Sequence, residues 1–361
     1  MRTLTEQQAR RMRALANGLG RPVRRAGSTG VTDVVRRVGG LQAQTWPAAA
    51  LAVRARSTAT TWADVDTARL VDRSVVRGWF QRGTLHLVAA EDAGWLLRAL
   101  GPVTVDRTAR RYAELGLSET VRRDAATVIE AETTGRGPLT RAEIGDALVA
   151  KGLLPEPTGQ AVYALIRYAG LRGLLCYGPD RGSQETWVAT RDWLGEPLDL
   201  SGDRAVALAE LCGRYLGAYG PAAPADLATW AGLPARDAKA AFGARRDLVE
   251  VEVGGQRAAV LRGRRTTGAP APLRLLGEFD TYLLGHDGPW PVHDERFRRR
   301  IHPGGGVLRP VVVADGIVVG GWRFDRRRGV AAVDPFEPDL VGTAELDAEV
   351  ADIARFTGLG A

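Results

Sequence analysis

Apolar residues recur at helical spacing from Ser118 onward, where Val121, Ala125, Val128 and Ile129 fall on one stripe. The next stretch, GPLTRAEIGDALVAKGL, predicts a helix opening at Thr140, an N-cap residue with Glu143 three positions on. Another helix is predicted from about Thr158, with Val162, Leu165, Ile166 and Ala169 on its apolar face. LLCYGPDRGSQETWVAT then reads as two short strands about a GPDRG turn. Helix, helix-turn-helix and hairpin, in that order, make a winged helix.

The order repeats at once. Residues 203–219 predict a first helix, PAAPADLATWAG a second, LPARDAKAAFGA a third, and LVEVEVGGQRAAVLRG a hairpin around Gly254-Gly255. The N-terminal region fits the pattern more loosely. It predicts a helix from Thr5 with Gln8 completing a capping box, others from Thr32, from about Pro47 and in TWADVDTARLVD, and a strand in RGTLHLV.

Past residue 266 the character changes. A Pro-rich joint precedes LRLLGEFDTYLLG, a loop runs to about Gly306, and strands are predicted in VLRPVVVA, GIVVGGWRF and near GVAAVDP, with a closing helix from about Thr343. Asp315-Gly316 between apolar runs is a strong hairpin signal. The expected class is α+β, three tandem winged-helix motifs followed by a β-rich domain, divided as residues 1–115, 116–200, 201–266 and 267–361.

Composition narrows the function classes. No run approaches the roughly eighteen apolar residues that a membrane span needs, and MRTLTEQQARRMRAL lacks an apolar signal-peptide core. The expectation is a soluble, cytoplasmic protein. Cys176 and Cys212 are too few for a disulfide framework or a thiolate zinc site and read as buried thiols. The net charge is +7 with a pI near 9.9, and Lys151 and Lys239 are the only lysines, so arginine carries the positive charge. Arginine offers phosphate a fixed fork of donors, and such a pI is the footprint of a nucleic-acid binder. The basic pairs and triplets, from Arg10-Arg11 to Arg298–Arg300 and Arg326–Arg328, are dispersed, so they form a surface only if the fold gathers them.

The stretch GGLQAQTWP at residues 39–47 raises a sharper question. Gly39 and Gly40 end the preceding helix, while Pro47 turns Trp46 away from the α region and can open the next one. The segment between them is therefore expected to be extended, with Gln42 and Gln44 projecting to one side and Ala43 to the other. Two readings compete at this point: the amides cap neighbouring backbone, or they act together on a substrate.

GLQAQ, then GWFQRGTLHLV, GEFDTYLLG and VLRPVVVADGIVVGGWR, in that order, resemble the AlkZ/YcaQ-like winged-helix DNA glycosylases, in particular the AlkZ-like branch with its Gln-apolar-Gln signature. The YcaQ-like branch carries Asp at the second polar position. The resemblance implies a C-shaped cradle for double-stranded DNA, excision of N7-alkylated guanine including crosslinked adducts, and in some members self-protection of producers of DNA-alkylating natural products. By position it makes Gln42 and Gln44 the catalytic pair. Its pattern commonly continues after LLG with Asp-Arg, whereas here Asp287 is followed by Gly288 and a Pro-rich loop.

Amide chemistry suits such a lesion. Glutamine does not titrate near neutrality, yet it can hold a water and aim a carbonyl dipole at developing positive charge. Hydrolysis of a glycosidic bond passes through an oxocarbenium-like state, and a cationic N7-alkylguanine leaves as a neutral base without a general acid. Lyase chemistry needs a desolvated amine, and both lysines lie far from the glutamines in sequence, so a monofunctional enzyme is expected. Separately, no cofactor or metal is expected, and the protein is expected to act as a monomer.

Further candidates for the pocket or for DNA contact are Trp46, Arg82, His86, Asp280, His286, Arg298, Arg299 and Arg300. Glu278 and Asp280, two apart on an expected strand, offer a carboxylate or an ion pair with arginine; Trp46 and Trp79 offer stacking or core packing. His286, Asp287, His293, Asp294 and His302 share one loop, but at no standard metal-ligand spacing. The competing class is a non-catalytic winged-helix regulator or damage sensor.

Overall fold

The computed structural model describes residues 1–264, 270–288, 291–325 and 330–359. The arginine run 326–328 and part of the Pro-rich loop, Pro289 and Trp290, lie outside them. The fold is α+β, with four small sheets among the described residues.

Three of the sheets have three strands each. Leu41–Gln42 pairs antiparallel with Leu85–Ala89, which pairs in turn with Val75–Trp79. Leu139–Thr140 pairs with Thr186–Ala189, itself paired with Leu175–Tyr177. Leu248–Val253 and Gln256–Leu261 form a hairpin, and Arg2–Leu4 adds to it in parallel, so the first residues described are fastened beside Val251, Glu252 and Val253. The fourth sheet runs Arg274–Leu276, Val311–Ala314, Ile317–Asp325 and Val330–Pro335 in sequential order.

Local chemistry starts two helices where the sequence predicts, whereas the helix expected from Thr32 begins earlier, at Gly27. Thr5 caps the helix Glu6–Ala16 and Thr140 caps Arg141–Ala150, each in a reciprocal capping box with Gln8 or Glu143. Asp315 and Gly316 both have positive φ, as a two-residue hairpin turn requires. The N-terminal helix is tied to that turn by Arg11, whose Nε donates to the Asp315 carboxylate at 2.8 Å.

The cores cut across the sequence order. Val31, Val34, Leu41, Leu87 and Leu96 are packed in one cluster with Leu211, Tyr215, Leu216, Leu227 and Trp230. A second cluster unites Trp79 and Leu85 with Ile129, Ile144, Leu165 and Tyr177. The hairpin Val75–Trp79/Leu85–Ala89 therefore serves both, and each fully buried aliphatic side chain contributes about 1.5–3 kcal/mol. Arg54 and Arg56, both fully buried, fix the end of the helix Trp46–Arg54 to the C-terminal part, through Glu349 at 2.9 Å and Asp280 at 2.7 Å.

Candidate active site

Gly39 closes the helix Gly27–Val38 in the left-handed region, and Gly40 continues at φ 115°, a conformation that disfavours a side chain. A Cβ on Gly40 would also come within 3.1 Å of Val88. The chain is thereby delivered extended into the short strand Leu41–Gln42, and Ala43 still donates its N–H to Leu85 O at 2.8 Å. At Gln44 the chain bends, and the helix Trp46–Arg54 begins with Pro47 in its first turn. The extended expectation holds through Ala43, which is fully buried.

The two glutamines are not equivalent. Gln42, 9% exposed, stands opposite His86 in the strand pairing, and its Oε1 accepts a 2.6 Å hydrogen bond from Arg82 Nη2. Gln44 is exposed and lines a cavity of about 410 Å³ together with Trp79, Gly83, Thr84, Tyr163 and Arg167. Gln42 does not line it.

Arg82 sits in the turn Gln81–Gly83 with a left-handed φ of 57°. Buried Gln81 donates its side-chain N–H to Gly39 O at 2.6 Å, so the turn carrying Arg82 is pinned to the turn preceding Gln42. Arg82 Nη1 also donates to Trp230 O at 2.6 Å, and burial lowers its proton affinity.

The cavity's far wall comes from the second helical region: Arg111, Arg141, Gln160, Tyr163 and Arg167. Arg167 donates to Thr108 Oγ1 and to Gly83 O, both at 3.1 Å, and Arg141 lies over the Tyr163 ring at 5.7 Å. Arg111 pairs with Glu114 at 3.0 Å, whereas Arg141 and Arg167 have no carboxylate partner among the described residues. Of these only Arg111 belongs to a basic pair visible in the sequence; nothing local signals that Arg141 and Arg167 face Gln44.

Several sequence candidates lie elsewhere. Asp280 is sealed in its ion pair with Arg56 and does not reach the cavity. The expected strand through Glu278 and Asp280 stops at Leu276, because Phe279 turns the chain with φ 55°. Glu278 instead accepts from Thr45 Oγ1 at 2.7 Å, beside Gln44. His86 is buried, bonded through Nδ1 to Thr84 O at 3.0 Å; desolvation and then the Arg82 charge push its pKa down to about 3. Trp46 is covered by Arg69 at 4.3 Å and donates to Asp66, and Trp79 packs against Tyr163 and Tyr177, so both are engaged in packing.

His286 turns inward: its Nε2 meets Tyr219 O at 2.9 Å, and burial followed by the Arg13 charge pushes its pKa down to about 3. His293 approaches Glu337 at 3.5 Å and His302 Nδ1 meets Val307 O, so the histidines of this loop diverge. Among the described residues no cluster of three His, Cys, Asp or Glu side chains is arranged to hold a metal ion. Arg298 pairs with Glu295 and Arg300 with Asp334, while Arg299 is exposed. Lys151 and Lys239 are exposed and line no part of the cavity. Among the described residues no helix is long and apolar enough to cross a membrane.

Comparison with known proteins places the chain in a family. The family model for AlkZ-like DNA glycosylases matches residues 35–356, from the helix before the Gln-Ala-Gln stretch to the last helix. The chain belongs to the AlkZ-like DNA glycosylase family. It is 30% identical over 357 residues to an interstrand DNA cross-link repair glycosylase of Streptomyces sahachiroi, covering 91% of each chain. Its structure is similar to that of the Streptomyces sahachiroi DNA glycosylase AlkZ, with a TM-score of 0.85, 28% identity, and 99% and 98% of the two chains covered. As a member of that glycosylase family the chain is an enzyme, and the matched residues include the segment Gln42-Ala43-Gln44 just described.

Proposed function

We propose that this AlkZ-like glycosylase hydrolyses the N-glycosidic bond of N7-alkylguanine in double-stranded DNA, bulky and crosslinking adducts included, and leaves an abasic site. The observation that carries the reading is Gln44, an exposed amide on the rim of a cavity of about 410 Å³ whose other wall holds Arg141 and Arg167 without counter-charges among the described residues. Guanidinium groups bonded only to neutral oxygens, beside a neutral amide, suit a nucleotide, with the arginines taking phosphates and the amide facing the sugar.

In the reaction a water oxygen bonds to C1′ as the C1′–N9 bond breaks. The bonding pair goes to N9 and cancels the positive charge of the alkylated ring, so the base departs neutral, and the water's surplus proton passes to solvent. The Gln44 carbonyl dipole holds the water and stabilises the sugar cation, worth about 3–4 kcal/mol for one well-aimed dipole. Because the leaving group is already cationic, no carboxylic acid is needed, in keeping with Asp280 being consumed by Arg56. Exposed lysines, lacking the desolvation that activates an amine, support a monofunctional reaction.

We read the three small three-stranded sheets, each with its preceding helices, as winged-helix units that with the β-rich region form a cradle for duplex DNA. The relative's role in interstrand cross-link repair supports crosslinked guanine as a substrate of this chain. The test is incubation with duplex carrying N7-methylguanine or a bulkier N7 adduct, scoring free base and alkali-labile sites. Binding without release, unchanged in Gln42→Ala and Gln44→Ala, would favour a non-catalytic damage sensor.

A further inference from the structure

Beyond this reading, one of the two glutamines arrives already occupied. A guanidinium is a donor with no acceptor atom, so the amide atom that faces Arg82 Nη2 at 2.6 Å must be the oxygen of Gln42. That hydrogen bond fixes the amide's sense, and the –NH2 group is turned away from Arg82. The Gln42 Nε2 has no acceptor among the described residues, yet it is not one of the buried polar atoms that lack a partner, so it keeps access to solvent.

Arg82 is itself held rigidly. Its Nη1 is bound to Trp230 O at 2.6 Å, its backbone lies in a left-handed turn, and that turn is tied to Gly39 O through Gln81. Gln44, by contrast, has no side-chain hydrogen-bond partner among the described residues and is free to present either end of its amide.

We infer that Arg82 is a positioning residue that locks Gln42 as a hydrogen-bond donor, leaving the acceptor role toward water and sugar to Gln44. The two amides thus divide the work. A donor cannot stabilise an oxocarbenium ion, but it assists the same reaction by bonding an acceptor atom of the departing purine, where electron density builds up as the C1′–N9 bond breaks. The inference rests on the glycosylase reading above and concerns how its two glutamines share the chemistry.

The test uses the full-length protein and a duplex with one N7-methylguanine, with single-turnover base release and damaged-duplex affinity measured separately. Gln42→Ala, Arg82→Ala and the double variant complete a mutant cycle. Arg82→Ala is expected to slow release about as much as Gln42→Ala, roughly a hundredfold, with affinity changed less than about threefold, and to add less than about threefold in the Gln42→Ala background. Arg82→Lys, which keeps one donor, is expected to recover part of the rate. Gln42→Glu keeps the interaction with Arg82 but exchanges the free –NH2 for an acceptor, and it is expected to be as slow as Gln42→Ala.

Additive losses from Arg82→Ala and Gln42→Ala, or a Gln42→Glu enzyme at the wild-type rate, would overturn the donor assignment while leaving the glycosylase reading intact. A wild-type protein that releases no base, or a Gln42→Ala protein that releases it at the full rate, would instead sink the catalytic reading on which the assignment stands. Thermal melting of each variant separates loss of fold from loss of chemistry, and the affinity readout separates positioning from DNA binding.

Discussion

Asp280 meets Arg56 through two hydrogen bonds, of 2.7 and 3.0 Å, with neither side chain exposed to solvent. Arg56 is further held by Asn17 and Ala52 O, so the pair joins the N-terminal helical region to the β-rich part. Asp280 therefore acts on stability. Asp280→Asn, which leaves a buried guanidinium short of its counter-charge, is expected to cost about 3–5 kcal/mol in urea unfolding. Whatever protein stays folded should retain base release; a stable but inactive Asp280→Asn protein would return this carboxylate to the chemistry.

Stability should also fall on the acid side of neutrality. His86 and His286 are both held near pKa 3 by burial, with Arg82 and Arg13 respectively adding like charge, against about 6.5 for an ordinary imidazole. Above about pH 6.5 both states are neutral and the histidines exert no penalty. Between about 6.5 and 3 the unfolded chain takes up protons that the folded chain refuses, so each histidine removes ~1.4 kcal/mol per pH unit of acidification. Urea midpoints at pH 7, 6 and 5 should drop accordingly, and less steeply in His286→Gln; identical slopes would contradict the buried, neutral assignment.

A second set of arginines predicts the salt response of DNA binding. Arg21, Arg37 and Arg264 converge on a cavity of about 330 Å³ lined by no carboxylate, and burial, followed by the charges of Arg264, Arg56 and Arg21, lowers the proton affinity of Arg37. Arg37 is used within the fold, donating to Leu15 O at 2.9 Å and to Arg21 O. Arg21 and Arg264 are exposed. If they reach phosphates, Arg21→Ala with Arg264→Ala lowers the slope of log affinity against log salt by about 0.9 for each phosphate no longer neutralised. An unchanged slope with unchanged affinity would remove this cavity from the DNA footprint.

Much of the architecture is legible because it is written locally. The capping boxes at Thr5 and Thr140, the Gly254-Gly255 hairpin and the Asp315-Gly316 turn each depend on residues within a few positions of one another. The helix Ala90–Arg107 is not legible in this way, since Gly94, Gly101 and Pro102 interrupt its pattern. Its glycines answer to distant backbone: a Cβ on Gly94 or on Gly101 would lie 2.8 Å from Asp199 O or Leu171 O. The parallel pairing of Arg2–Leu4 with Leu248–Val253 and the left-handed turn at Phe279 are likewise settled by tertiary packing.

The site divides the same way. Gly39, Gly40 and Pro47 announce an extended Gln-Ala-Gln segment, and the shared motifs point to its chemistry. What the spacing could not reveal is that the two amides have different neighbours. Arg82 reaches Gln42 across two turns that Gln81 pins together, and Arg141 and Arg167 come to Gln44 from another part of the chain.

The central claim is that Gln44 serves the breaking of the glycosidic bond at the cavity it lines. It is tested most directly by single-turnover release of N7-methylguanine from duplex DNA by wild-type and Gln44→Ala proteins at equal DNA occupancy. We predict release by the wild type, alkali-labile abasic sites, and a rate about a hundredfold to a thousandfold lower in the variant with binding retained. Equal rates in the two proteins would contradict it.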